Sequence, residues 1–209
     1  QWVEAGLRGE VRAIQADLGF FLDLTKEKRN INMNLAAGTL LDLMIYPLTF
    51  GRIFSSLPSQ NGGKPGEGRV AEFQIMADKH ESGADAADMV QLRYTNGILG
   101  QFSASSCERY HNDGIIIGTR GRIVVPTFHM AKEALLILED KNGESDRKHF
   151  SVAQEDADIM GYNYETQAVT DCIAQGLTEC PTMPLSTTAQ MMQLMDTMRE
   201  QIGLRYSFE

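Results

Sequence analysis

The chain has no CxxC pair, no GxGxxG loop after a strand, and no uninterrupted apolar run near the roughly 20 residues of a membrane-spanning helix. Its three cysteines, Cys107, Cys172 and Cys180, form no even framework, which fits a reducing compartment and points to the cytoplasm. Basic residues are also in short supply, since 19 Lys and Arg stand against 28 Asp and Glu, a formal net charge of -9. Nucleic acid and anionic lipid surfaces both require clustered cations, so neither is an expected partner and a small neutral molecule is. The histidines, His80, His111, His129 and His149, show no HxH or HxxxH spacing, and no metal is expected. Cys107 and His111 are near enough in sequence for a thiol and its base, but no third group orients them, and Cys107 reads as packing.

What is present is a globular composition, 43% hydrophobic and 22% charged over 209 residues, enough for one core and read as one domain over 1–209. Alternating or β-rich apolar runs recur at 11–20, 69–77, 88–94, 98–105, 114–117, 122–125, 134–139 and 148–152, joined mostly by turn chemistry. Thr95-Asn96-Gly97 predicts a hairpin with a type I′ turn, and Asp140-Lys141-Asn142-Gly143 predicts a second hairpin. The stretch 58–68, dense in Pro and Gly, reads as an exposed loop. The last third is helical: Glu165, Val169, Cys172 and Ile173 share a face before Gly176, and Met192, Met195, Met198 and Ile202 follow Ser186 as N-cap, with Gly203 as the stop. The methionines at 191, 192, 195 and 198 read as core. Helices gathered at both ends of a run of strands predict an α+β fold, a mostly antiparallel open sheet with helices on one face. Its other face needs cover, and Val90, Leu92 and Tyr94 are read as candidates for that exposed surface.

Chemistry-bearing groups concentrate between Ala36 and Phe54. Leu41, Met44, Ile45 and Leu48 follow helical spacing toward a core, while Asp42 and Tyr46, four residues apart on one face, sit about 5–6 Å from each other and can address one small ligand. The competing reading of the same spacing is the solvent edge of an amphipathic helix. Tyr162 and Tyr164 can line the same cleft but read as packing at a helix start and are left out of the site.

The order of several fragments then gives a family. Gly38, Leu41, Asp42, Tyr46 and Pro47 fall in the register of Gly-Gly-Gly-Ala-Leu-x-Asp-x-Gly-x-His/Tyr-Pro; Gly9–Ala16 is like a first strand; Ser82-Gly83-Ala84-Asp85 precedes a hairpin; Gly118-Thr119-Arg120-Gly121-Arg122-Ile123 and Pro181-Thr182-Met183-Pro184-Leu185 follow in order. Over nearly its whole length the chain resembles the C-terminal domain of the glucose-fructose oxidoreductase/inositol dehydrogenase (Gfo/Idh/MocA) family. Ala36, Ala37 and Met44 depart from that pattern, and Tyr rather than His at 46 leans toward the dihydrodiol and xylose dehydrogenase-like branch.

The resemblance implies an NAD(P)-dependent oxidoreductase acting on a sugar, polyol or vicinal diol, with this domain holding substrate. It implies Tyr46 as the proton carrier, Asp42 as the group orienting a second hydroxyl, and a homodimer through the open sheet face. It also places a Rossmann domain and a Glu-Lys-Pro lysine upstream of Gln1, so that NAD or NADP belongs to the full-length protein and none is expected to bind this stretch alone. The alternative is a non-catalytic binding or assembly subunit that retains the fold.

Overall fold

The computed structural model describes residues 9–26, 28–56, 68–139, 145–152 and 161–209. Eight strands, β1 (Val11–Gly19), β2 (Val70–Lys79), β3 (Asp85–Tyr94), β4 (Leu99–Ser105), β5 (Gly114–Gly118), β6 (Gly121–Val125), β7 (Glu133–Glu139) and β8 (Ser145–Ser151), form one open sheet in the order β2-β3-β4-β1-β5-β6-β7-β8. Neighbours run antiparallel except β1 and β4, which are parallel, with Ala13 opposite Leu99 and Gly19 opposite Ser105. The strands fall on the alternating or β-rich apolar runs, since half-buried strands show period 2 and fully buried ones a short continuous apolar run.

Among the described residues three helices, α1 (Ile45–Ser55), α2 (Tyr162–Ala174) and α3 (Leu185–Ile202), accompany the sheet, and a π-helical turn, Leu40–Met44, leads straight into α1. Alternate strand residues Ile14, Val90, Phe102, Ile116 and Leu136 meet Leu40, Met44 and Leu48 from the π turn and α1, and Met195 and Met198 from α3, each at most 2% exposed. Helix α1 lies close on the sheet because Gly51 has no Cβ; one there would collide with the Tyr94 hydroxyl and the Phe102 ring. Pro47, which cannot donate a backbone bond and crowds the carbonyl four residues back, sits just after the wide π turn.

This packing corrects the parity of β3. Val90, Leu92 and Tyr94 are buried against the helices, so they are core and not the open surface. The period identifies two faces of a strand, and helices cover the more apolar one. The opposite face shows Met76, Met89 and Leu99. Across it runs a row in register, Gln74, Gln91, Gln101 and Gln15, continuing into Ile115, Val124, Leu135 and His149. Gln15 donates to Gln101 Oε1 at 3.0 Å along that row.

Other local expectations are adjusted. The β3–β4 hairpin is a type I turn closed by Gly97 at φ +86°, with Gly97 N donating to Tyr94 O at 2.8 Å, because Asn96 keeps a negative φ. Asn96 spends its side chain instead on the Ser55 carbonyl at 2.9 Å, which ties the hairpin to the end of α1. The N-cap of α3 is Pro184 and not Ser186, the Leu185 amide being taken by Glu179 Oε2 at 2.8 Å, and the helix stops at Gly203 with φ +65° as expected. Met191, Met195 and Met198 are core, whereas Met192 is exposed. No described residue of α2 is buried, and Val169 and Ile173 stand open. The Asp140–Gly143 turn, residues 58–67 and the opening Gln1–Gly6 stretch lie outside the described residues; β7 and β8 still pair antiparallel, Glu139 opposite Ser145.

The run Met33–Ser55 has the length, 23 residues, and the mean hydropathy, 1.2, of a membrane span, although the chain has no uninterrupted apolar stretch of that size. Its apolar side is used up in the sheet core, and left-handed Ala36 (φ +53°) with Gly38 (φ +138°) breaks it into separate turns. At Ala36 the methyl group opposes the backbone conformation. Ala36→Gly is therefore expected to stabilise the chain by about 0.5–1 kcal/mol, a rise of roughly 1–4 °C in a protein of this size; a fall in the thermal midpoint measured by calorimetry would contradict this account of the turn.

Candidate active site

The entry to the site is fixed by a carboxylate. Asp85 Oδ2 accepts the Leu40 amide at 2.5 Å, satisfying a donor that the first turn of a helix leaves open. It reaches that amide because Gly38 lies beside it; a Cβ at Gly38 would collide with Asp85 Oδ1, and the φ of +138° disfavours any side chain. Asp85 faces the helices through a bulge. Lys79 pairs with Asp85 and Asp78 with Ala87, so Ala86 is the extra residue, and Asp85 and Asp88 end up on the same side of β3. Around them Thr39 Oγ1 donates to Ala86 O and Ser106 Oγ, both at 3.0 Å, and the Tyr206 hydroxyl donates to Ala37 O at 2.9 Å.

Asp85 and Asp88 are each 1% exposed. Burial first, then the neighbouring Asp85 charge, pushes the Asp88 carboxyl up to about 9. Two carboxylates this close in a dry interior cannot both ionise. Asp88 is thus neutral at pH 7, and the Asp85 side chain faces the helix N-terminus, where the backbone N–H groups point at it.

Beyond this anchor the π turn and α1 present Asp42 and Tyr46. Tyr46 is 47% exposed and lies where two hollows meet. One, about 500 Å³, is a groove bordered by Asp42, Thr49, Ile53 and Phe128. The other, about 600 Å³, is an open hollow bordered by Phe20, Lys132, Tyr162, Tyr164 and Glu165. His129 borders both, its ring edge-on to Tyr46 with centroids 6.4 Å apart. The Asp42 carboxylate accepts the Asn30 amide at 3.2 Å and has Arg29 Nη1 at 3.8 Å, an exposed arrangement that leaves lone pairs for a further donor.

His129 is held on a strained loop. Thr127, a β-branched residue, is left-handed at φ +47°, and the following Phe128 amide donates to Asn112 O at 3.0 Å. Asn112, also left-handed, takes the Gly19 amide on Oδ1 at 2.8 Å and gives its own N–H to Asp17 at 2.7 Å. The His129 Nδ1 atom is buried with no hydrogen-bond partner, and burial lowers the imidazole below its ordinary pKa. Leaving such a nitrogen unpaired costs about 1–3 kcal/mol.

The structure therefore brings Asp42 and Tyr46 to one groove, as their spacing predicts. It adds Tyr162 and Tyr164, which sequence reasoning set aside as packing, yet both are exposed and face the Tyr46 hollow. His129 and Phe20 were missed altogether. No spacing signal could have found them, because the contacts of His129 with Tyr46 and with Phe20 are made only when β1, β6 and the loop after each are in place. No group of three or more metal-ligating side chains occurs among the described residues.

Comparison with known proteins gives a consistent picture. Residues 1–124 match the family described as GFO/IDH/MocA C-terminal domain. The chain is 28% identical over 210 residues to trans-1,2-dihydrobenzene-1,2-diol dehydrogenase of Oryctolagus cuniculus, covering 96% of this chain and 57% of that protein. It is 28% identical over 204 residues to the protein of the same name from Danio rerio, covering 95% and 56%. Among solved structures, aldose-aldose oxidoreductase from Caulobacter crescentus complexed with glycerol superposes with TM-score 0.72 at 17% identity, over 96% of this chain and 56% of that one. Levoglucosan dehydrogenase in complex with NADH and levoglucosan gives TM-score 0.73 at 13% identity, over 97% and 59%. The fold is shared with these structures, and the chain spans somewhat more than half the length of the relatives it matches.

The Asp85–Asp88 pair predicts a pH dependence of known sign. Asp88 has a folded pKa raised above its unfolded value near 4, so its contribution favours the folded state most below that value and is lost as pH rises toward about 9. Asp88→Asn keeps the shape and stays neutral, so its thermal midpoint relative to the parent should rise steadily between pH 5 and pH 9. A midpoint difference that is flat across this range would mean that Asp88 is not the proton-holding partner.

Proposed function

Since the chain belongs to the GFO/IDH/MocA family as a C-terminal domain, we propose that it is the substrate-binding and oligomerisation part of a cytoplasmic NAD(P)-dependent oxidoreductase whose substrate is a sugar, a polyol or a vicinal diol. The observation that carries this reading is the position of the Tyr46 phenol, half exposed at the meeting of two hollows, on a helix whose start is locked by a buried carboxylate. The names of the relatives, a dihydrodiol dehydrogenase and enzymes of aldoses and levoglucosan, support substrates with neighbouring hydroxyls.

No described strand leads through a glycine-rich loop into a helix N-terminus, so these residues do not fit the pyrophosphate of a dinucleotide, and NAD or NADP is assigned to the rest of the whole protein as hydride acceptor. What this chain supplies is proton chemistry. The substrate hydroxyl gives its proton to Tyr46 Oη as the carbonyl forms, and Asp42 accepts a hydrogen bond from a second hydroxyl and fixes the orientation. A phenol, with an ordinary pKa near 10, needs a nearby cation to act at neutral pH. The upstream Glu-Lys-Pro lysine implied by the family resemblance is assigned that part, and Lys132 is the cation that this chain adds to the hollow.

The sheet face that no described helix covers is the proposed contact between two copies. Its row of glutamines and apolar residues is uncharged up to His149, and exposed Met76, Met89 and Leu99 flank it, so a two-fold pairing would bury it without creating a new open surface.

Two measurements test these assignments. In the whole protein, Tyr46→Phe is expected to lower kcat by about 10²–10⁴ on the best member of a panel of aldoses, inositols and vicinal diols, with the unfolding midpoint and cofactor affinity nearly unchanged. Turnover within a few-fold of the parent by a folded variant removes Tyr46 from the reaction. For the sheet face, sedimentation at a few tens of micromolar (~10⁻⁵ M, where a standard-size interface is occupied) should give a dimer that Met89→Glu dissociates; a monomeric parent overturns the pairing.

A further inference from the structure

The proposed function makes no use of the C-terminal end of α2. Gly176, at φ +70°, stops that helix in a tight reversal, with Leu177 N donating to Cys172 O at 2.9 Å and Gly176 N to Ile173 O at 3.0 Å. The chain then returns through a second turn, in which Met183 N donates to Cys180 O at 3.1 Å and Glu179 Oε2 holds the Leu185 amide. The two reversals set the side chains of Cys172 and Cys180 against each other in a thiol–sulfur hydrogen bond. Both residues are partly exposed, and neither is in a disulfide. Their surroundings differ. Cys180 receives the backbone N–H groups of Thr182 and Met183, which hold its thiol below the ordinary value, and the Cys172 thiol adds to the effect. Partial burial raises Cys172, and its contact with Cys180 and the Asp171 charge raise it further. Two sulfurs in contact, one favoured as thiolate and the other as thiol, make a nucleophile and its resolving partner.

We propose that Cys172 and Cys180 form a reversible dithiol–disulfide site that exchanges with a low-molecular-weight disulfide such as oxidised glutathione, Cys180 attacking and Cys172 resolving. In the first step the Cys180 sulfur bonds to one sulfur of the reagent as the reagent's S–S bond breaks, and the other half leaves as a thiolate. In the second, Cys172 gives its proton to solvent, attacks the Cys180 sulfur and expels the remaining half as a second thiolate. The two protein sulfurs together lose two electrons, and the reagent is reduced to two thiols. A reducing compartment keeps the pair open, and a rising ratio of disulfide to thiol closes it. The closed link joins the last turn of α2 to the turn that leads into α3, and the first turn of α2 carries Tyr162 and Tyr164 to the Tyr46 hollow. No described residue of α2 is buried, so a covalent tie adds substantially to what holds the helix.

The test uses the whole protein, incubated with oxidised glutathione at neutral pH, quenched with an alkylating reagent and mapped by peptide mass. In the parent, Cys172 and Cys180 should lose their free thiols together and appear as one joined peptide pair, lighter by two hydrogens, that reduced glutathione reopens. Cys107, the third free cysteine, is the internal control and should remain open to alkylation over the same time. Cys172→Ser should stop at the mixed disulfide, with one glutathione on Cys180. Cys180→Ser should slow thiol loss at Cys172 by about tenfold or more. A Cys172–Cys180 link that does not form in the parent, or that forms no faster than Cys107 is modified, overturns the proposal, and this mapping depends on no variant's folding. Reaction of Cys172 at the parent rate in a folded Cys180→Ser protein overturns the assigned order of attack.

Discussion

One hydrogen bond, from the Leu40 amide to the Asp85 carboxylate, sets where the rest of the site can be. It exists because a bulge at Ala86 turns Asp85 toward the helices and because Gly38 has no side chain in the way. The neutral Asp88 beside it spares this interior a second buried charge. The hydroxyls of Thr39 and Tyr206 tie down the backbone on either side. From this fixed end the π turn and α1 extend as a rigid rod, so the position of the Tyr46 ring follows from a contact made well before it in the chain.

The fold was legible in the sequence to the extent that period and turn chemistry speak for themselves. All eight strands coincide with alternating or β-rich apolar runs, and Gly203 stands where a helical pattern stops. What period 2 does not contain is the side that faces the helices, and the exposed face of β3 had to wait for the packing of Val90, Leu92 and Tyr94 against Leu48 and the methionines of α3. Helix α3 begins at Pro184 because Glu179 supplies the cap from six residues away, outside the window in which Ser186 looked suitable. For the site, Asp42 and Tyr46 share a stretch of chain and were readable from spacing. His129 comes 83 positions after Tyr46, counted along the sequence, and no local pattern links them. The π turn was equally invisible, since a wide turn uses the same residue types as a normal one.

Two non-glycine residues in left-handed conformations, Ala36 and Thr127, stand just ahead of the two segments that meet at the cleft. Each reverses the chain sharply before a short helical turn, one leading to Asp42 and Tyr46 and the other to His129. Glycine would take the Ala36 conformation without strain, so this chain tolerates a cost there. Rigidity at both approaches helps to keep the aromatic edges of Tyr46, His129 and Phe20 in fixed register.

The placement of β1 bears on how this domain comes together. β2–β4 and β5–β8 are two meanders whose neighbours are also sequence neighbours, so each closes over short loops. β1 alone joins them, pairing with residues 99–105 on one side and 114–118 on the other. The first of these contacts spans more than eighty residues of chain, a closure whose entropy must be met before any pairing rewards it. The cleft draws Tyr46 from the helix that follows β1 and His129 from the loop that follows β6. It has no existence in either meander alone: the hollow beside Tyr46 is a property of the completed sheet, closed only when β1 is inserted between the two meanders.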